Sequence, residues 1–261
     1  MMSSMLLPLS LIILAGMPHG AADGALALIK YDDLIKKLLF FTAYISLAIM
    51  GFILWTLAPT LSLLIFLFIT VQHFGAGDIK YYQYSSVPIY SKYVHGSSIL
   101  IFMSIGHPAE MQSLVSLLIA PEHAEQVING LTWSAIAWSI AVLSLLFKVQ
   151  QRRKLAIELM LIVSVAMLLP PLWSFCFYFC VIHSLRHFRL IFPTLRRSAV
   201  SIYLTACFAV MGIGLVALLL ITDITAQFDQ ALFRSSIIAL FMLTLPHMIF
   251  IDYLKPIKEI R

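Results

Sequence analysis

The chain has 261 residues, of which 61% are hydrophobic and only 11% charged, with a mean hydropathy of +0.98. A soluble domain carries about 25% charged residues, so this composition excludes a water-exposed globular surface and makes lipid the solvent for most of the molecule. The net charge of +5, from 17 basic and 12 acidic residues, reads as cytoplasmic loops and not as a nucleic-acid surface.

Backbone groups in lipid must bond internally, which leaves helices or a closed barrel. Long apolar runs without strand-like alternation select helices. The expected fold is an all-α, polytopic transmembrane bundle forming one integral membrane domain over 1–261, with helices at 5–29, 38–58, 60–76, 94–119, 131–148, 155–184, 199–222 and 233–254. The cell inner membrane is the expected location.

The first run, Leu6 to Leu14, resembles a signal-peptide core, but no Lys or Arg precedes it, and it reads as a retained helix. It leads into Pro18-His19-Gly20-Ala21-Ala22-Asp23, where small residues permit close approach. Asp23, one turn beyond His19, is placed to accept a proton from the far imidazole nitrogen, as carboxylates behind metal-bound histidines do. Lys30, Lys36 and Lys37 mark a cytoplasmic loop, and Ala58-Pro59-Thr60 a tight turn.

The third helix ends in His73-Phe74-Gly75-Ala76-Gly77-Asp78, again a histidine with small residues and an acid. The reach of Asp78 to His73 depends on how that helix ends. Residues 77–93 form a polar connection whose Tyr81, Tyr82, Tyr84, Tyr90 and Tyr93 read as an interfacial belt. His95 near the next helix start reads as interfacial. His107-Pro108 reads as a break inside a span, and His123 as a residue of a polar loop over 121–130.

In the run 155–184, Pro170-Pro171 is expected to break the helix. Eight simple spans with the N-terminus outside would put Arg186, Arg189, Arg196 and Arg197 outside, against the positive-inside rule. A hairpin or re-entrant element at the prolines returns 183–197 to the cytoplasmic side. Beyond the prolines, Trp173, Phe175, Phe177, Tyr178 and Phe179 run towards His183-Ser-Leu-Arg-His187. The i, i+4 spacing puts two imidazoles on one helix face, a good platform for a metal. Cys176, Cys180 and Cys207 sit in apolar runs and read as packed free thiols. His247, in the last apolar helix, needs a polar partner or lines a cavity.

His-Gly-Ala-x-Asp at 19–23, His-Phe-Gly-x-x-Asp at 73–78, Tyr178-Phe179-Cys180 before His-Ser-Leu-Arg-His at 183–187, and Leu245-Pro246-His247 occur in that order across nearly the whole chain. This pattern resembles the Brp/Blh-type membrane β-carotene 15,15′-dioxygenases of bacteria and archaea. The resemblance implies cleavage of the central double bond of β-carotene by O2 to two all-trans-retinal, at a non-haem Fe(II) held by His19, His73, His183 and His187. It also implies supply of retinal to a microbial rhodopsin.

The chemistry suits these residues. Dioxygen reacts slowly with a closed-shell polyene, and ferrous iron supplies what the side chains cannot. Four neutral imidazoles leave an octahedral ion open positions, with Asp23 and Asp78 moderating its charge from behind the ligands. A hydrocarbon substrate enters sideways from the bilayer, and Trp173, Phe175, Phe177, Tyr178, Phe179 and His247 are expected to line its tunnel.

Three other classes of protein remain in view, one of them a haem-binding electron-transfer bundle, which needs histidine pairs on facing helices at matched depth that His19 and His73 could mimic. A two-iron desaturase or hydroxylase uses HxxHH boxes, and no adjacent histidine pair occurs here. A small transporter needs charges at mid-span, whereas Asp32, Asp33, Asp223 and Asp229 fall in loops.

Overall fold

The computed structural model describes residues 5–81, 88–148, 152–191, 214 and 228–250, and among them no strand occurs. The described helices are α1 (Leu6–Leu11), α2 (Pro18–Lys30), α3 (Leu34–Leu57), α4 (Pro59–Tyr81), α5 (Ser91–Gly106), α6 (Pro108–Ser116), α7 (Pro121–Lys148), α8 (Arg152–Leu168), α9 (Pro171–Cys176), α10 (Leu185–Ile191) and α11 (Phe228–Met248). Two π-helical stretches, Ile12–Gly16 and Phe177–Ser184, join α1 to α2 and α9 to α10. The expected helix at 199–222 falls outside the described residues, apart from Gly214.

Proline sets many of the boundaries. α2, α4, α6, α7 and α9 all begin on one, where the missing N–H would have had no helical partner. Before Pro18 the helix widens, so that the Met17 amide donates to the Ile12 carbonyl at 2.8 Å. The expected single helix over 5–29 is therefore two helices with a π turn between them. At Pro170-Pro171 the break falls as expected, and the buried Ser174 hydroxyl donates to the carbonyls of Val165 and Leu169 (3.0 and 2.9 Å). At His107 the chain turns out of helical geometry (φ −137°, ψ 55°) before Pro108 restarts it. The expected loop at 121–130 is helical instead, because Pro121 and Glu122 suit a first turn.

α3, α4, α7 and α11 are long and apolar enough to cross a membrane. Phe147 is 84% exposed, Leu57 79% and Trp133 72%. Large apolar side chains standing outward along α3 and α7 suit lipid and would be a liability in water.

The chain divides into two compact units: Met1–Ser62 with His187–Arg261, and Leu63–Arg186. In the first, Gly51 of α3 admits Leu245, with its Cβ position 3.0 Å from the leucine Cδ1, and Trp55 packs on Phe241 at 5.4 Å. Ala22, Ala25, Leu26 and Ala27 of α2 form a core with Phe250, against which Phe40 packs. In the second unit, Gly75 of α4 and Gly96 of α5 let two backbones meet. A Cβ at Gly75 would collide with the Lys92 carbonyl, and one at Gly96 with the Val71 carbonyl. The Trp138 indole of α7 donates to the Val94 carbonyl at 2.7 Å, over a core of Val94, Leu145, Leu155 and Leu159.

Candidate metal centre

α4 does not stop at Ala76 but continues to Tyr81, and this decides where Asp78 points. Five residues along an α-helix turn a side chain about 140° from the starting direction. Asp78 therefore faces away from His73, and its fully buried carboxylate accepts from the Tyr178 hydroxyl at 2.8 Å. Its other oxygen lies 3.9 Å from His183 Nδ1 and 3.5 Å from Arg186 Nη1. The reach of Asp78 to His73, left open by the sequence, is thereby settled against His73, and the carboxylate lies near His183 instead.

His183 lies at the end of the π-helical stretch, a distortion frequent at functional sites. Its buried ring rests over Gly77, whose Cβ position lies 3.4 Å from the imidazole Cε1. His183 Nε2 meets His73 Nε2 at 3.2 Å, the two rings standing edge to face at 69°. In this geometry one nitrogen donates to the other. The same spacing fits two ligands of one ion. Metal–nitrogen bonds of about 2.1 Å at tetrahedral or octahedral angles hold two nitrogens roughly 3.0–3.4 Å apart. Among the described residues no group of three or more ligand side chains is gathered tightly enough to hold an ion.

Beneath this pair runs a buried polar network. Arg186 grips Glu158 with two hydrogen bonds (2.6 and 2.7 Å), and His95 Nε2 bonds the same carboxylate at 2.7 Å. His95 Nδ1 lies 3.5 Å from Asp78 and 3.5 Å from the Tyr178 hydroxyl. His95 is fully buried, not interfacial, because the Gly75 and Gly96 contacts draw α5 onto α4. Among the described residues, and with neutral imidazoles, two carboxylates face one guanidinium, an excess of one negative charge. A cation held at His73 and His183 would offset it. Sequence reading missed Glu158, although a carboxylate inside an apolar run is itself a functional pointer.

Aromatic rings flank the pair on one side. Phe175 stacks on Phe179 (5.4 Å, 11°), Phe179 lies parallel to His183 (6.3 Å, 10°), and Phe74 sits 4.4 Å from His183. Phe175 and Phe179, both expected along a substrate tunnel, pack on one another here, and Phe74 joins them. Tyr178, with its hydroxyl committed to Asp78, is part of the polar support. Trp173 and Phe177 are half-buried.

The other unit holds a second cluster. Asp23, fully buried, accepts from His247 Nδ1 at 2.7 Å and from the Tyr44 hydroxyl at 3.1 Å. The His247 ring rests near Gly20, whose Cβ position lies 3.8 Å from Nδ1, and stands edge to face with His187 (5.3 Å, 67°). Asp23 thus engages His247, a residue expected along the tunnel. The helical backbone of His19 opens α2, and its side chain lies outside the described residues. Cys176 and Cys180 are in no disulfide among the described residues, and Cys207 lies outside them.

A family model described as beta-carotene 15,15′-dioxygenase matches residues 10–255. A protein of an uncultured marine bacterium (66A03), named beta-carotene 15,15′-dioxygenase, is 29% identical over 269 residues, spanning 94% of this chain and 92% of the relative. No solved structure matches the chain.

Proposed function

The chain belongs to the β-carotene 15,15′-dioxygenase family, and from this we propose that it cleaves the central double bond of β-carotene with O2, giving two molecules of all-trans-retinal. The proposed cofactor is non-haem Fe(II), and the site lies within the bilayer. The observation that carries this reading is the convergence of His73 Nε2 and His183 Nε2 at 3.2 Å beside a buried aromatic stack.

Ferrous iron, when bound, supplies the electrons that let triplet O2 react with a closed-shell polyene. The side chains do the rest. His73 and His183 would hold the ion through their Nε2 atoms. Asp78 faces Nδ1 of His183 and favours the tautomer whose Nε2 is free to bind metal. Tyr178 and Arg186 hold Asp78 in turn. The resemblance adds His19 and His187 to the proposed ligands.

Phe74, Phe175 and Phe179 offer a polyene an apolar face and keep water from the histidines. Placing one double bond against the ion, with the rest of the chain fixed by such walls, is enough to choose the centre over other positions.

The test is expression in a carotene-accumulating host followed by pigment extraction. Loss of orange colour with retinal appearing and no shorter apocarotenals is the expected result. Unchanged carotene beside a well-expressed, iron-loaded protein would overturn the substrate assignment.

A further inference from the structure

At one end of the second unit three helices meet around a buried core. Val94 of α5, Leu145 of α7, and Leu155 and Leu159 of α8 form it, with Tyr90 and Leu146 packed against it. Basic side chains flank this core along the chain. Lys92 lies two positions before Val94, Lys148 three after Leu145, and Arg153 and Lys154 just before Leu155. The first turn of α5, the last of α7 and the first of α8 therefore bring four cations to one corner. The Lys148 ammonium lies over the Tyr90 ring at 5.7 Å, and that of Lys92 lies over the Tyr93 ring at 5.0 Å, one helical turn further on. The hydroxyls of Tyr90 and Ser144 share a hydrogen bond at 2.9 Å, which ties the start of α5 to the end of α7. Among the described residues none of the four cations pairs with a carboxylate. Glu158, the one acid of α8, is taken by Arg186 and His95. The neighbouring stretches 82–90 and 149–151 contain no acid.

We propose that this corner binds an anionic phospholipid, whose phosphate meets Lys92, Lys148, Arg153 and Lys154 and whose acyl chains lie along α7 and α8. Helix stability does not account for the cations. Lys148 suits the negative end of the α7 dipole, but Lys92, Arg153 and Lys154 stand in first turns, where the dipole repels them. An anion among them offsets that repulsion. The positive-inside bias asks for basic residues in loops and near helix ends; it does not ask for their convergence from three helices. The surface beyond the cations identifies the anion as a lipid. Ile140, Leu143 and Phe147 are exposed along a stripe of α7 that ends beside Lys148. Ile157, Met160 and Leu161 are exposed along the face of α8 that begins at Arg153 and Lys154. A free phosphate leaves such stripes bare, whereas a diacyl lipid covers them. Tyr90 and Tyr93 suit the headgroup level, and basic pockets between membrane helices are recurrent headgroup sites.

The experiment uses the purified full-length protein in a non-ionic detergent. It is titrated with dioleoyl phosphatidylglycerol or dioleoyl phosphatidylcholine and followed by native mass spectrometry and by thermal midpoint. Phosphatidylglycerol should bind more tightly, and raise the midpoint more, than phosphatidylcholine with the same chains. The triple variant Lys92→Gln, Arg153→Gln, Lys154→Gln leaves Lys148 to the dipole of α7. It should bind phosphatidylglycerol at least about tenfold more weakly, and without lipid it should be at least as stable as the parent. A second triple variant, Lys30→Gln, Lys36→Gln, Lys37→Gln, removes the same charge elsewhere and should keep the preference. Parent-like binding in the first variant, or an equal loss in both, would overturn the site and reduce the effect to overall surface charge. A parent without preference for phosphatidylglycerol would overturn it as well. A midpoint raised as far by inorganic phosphate as by phosphatidylglycerol would overturn the lipid as occupant.

Discussion

The two histidine clusters differ in how their carboxylates are held, and the difference separates orientation from charge. Among the described residues Asp23 has a short bond to His247 and accepts one tyrosine hydroxyl, so it orients the imidazole by a direct hydrogen bond. Asp78 stands 3.9 Å from His183 and is shared among Tyr178, Arg186 and, at 3.5 Å, His95. Its hold on His183 is electrostatic and depends on a network that includes the Glu158–Arg186 pair. The Asp23 cluster should therefore fail at a single residue. The Asp78 cluster should fail wherever its network is cut.

The largest effect is expected at the ligands themselves. His73→Ala and His183→Ala should each abolish detectable carotene cleavage and lose iron while the protein still inserts. His123→Ala, exposed in the first turn of α7, should match the parent. Metal analysis and retinal yield on the same preparations decide it. Full activity in both ligand variants would end the iron-site assignment.

Next comes the network. Removing one partner of a buried ion pair leaves the other charge uncompensated and costs about 3–5 kcal/mol. Glu158→Ala and Arg186→Ala should both lower the thermal midpoint strongly. Replacing the pair together by Glu158→Met and Arg186→Met should recover most of that stability, because apolar replacement of both charges is often neutral. Cleavage should stay impaired in the recovered protein if the pair also holds Asp78 against His183. A double variant that is both stable and fully active would show that the network serves the fold alone.

How much of this was legible depended on what carried the information. The helical class and the histidine candidates follow from composition, apolar runs and the cost of an ionisable side chain in lipid, and all of these can be read along a chain. The breaks at His107-Pro108 and Pro170-Pro171 follow from proline's missing N–H. The partner of each acid did not follow. Whether Asp78 reaches His73 depends on how α4 ends; the helix runs on to Tyr81, and that turns the carboxylate towards His183. Asp23 was read with its neighbour His19, whose side chain lies outside the described residues; the bond the structure describes is to His247, 224 positions away. The role of Glu158 depends on Arg186 and His95 reaching it from elsewhere in the fold. The π-helical stretches were invisible too, since nothing in Phe177–Ser184 distinguishes five-residue from four-residue hydrogen bonding.

The smallest effect separates the two carboxylates most finely. Tyr178→Phe and Tyr44→Phe each delete one hydroxyl and leave the ring. A hydrogen bond to a charged group is worth about 1.5–3 kcal/mol. Tyr178 donates at 2.8 Å in a fully buried setting, and Tyr44 at 3.1 Å in a partly buried one, so Tyr178→Phe should cost more stability. The effect on metal should run the same way. Without Tyr178, Asp78 can swing towards Arg186 and away from His183, weakening the electrostatic hold on that ring. Without Tyr44, Asp23 keeps its 2.7 Å bond to His247, and metal affinity should fall less. Thermal denaturation and Co(II) titration of the two variants side by side measure both quantities. Equal losses of affinity would mean that the long Asp78–His183 separation is not what limits the hold on His183, and the contrast between a dedicated and a shared carboxylate would have to be given up.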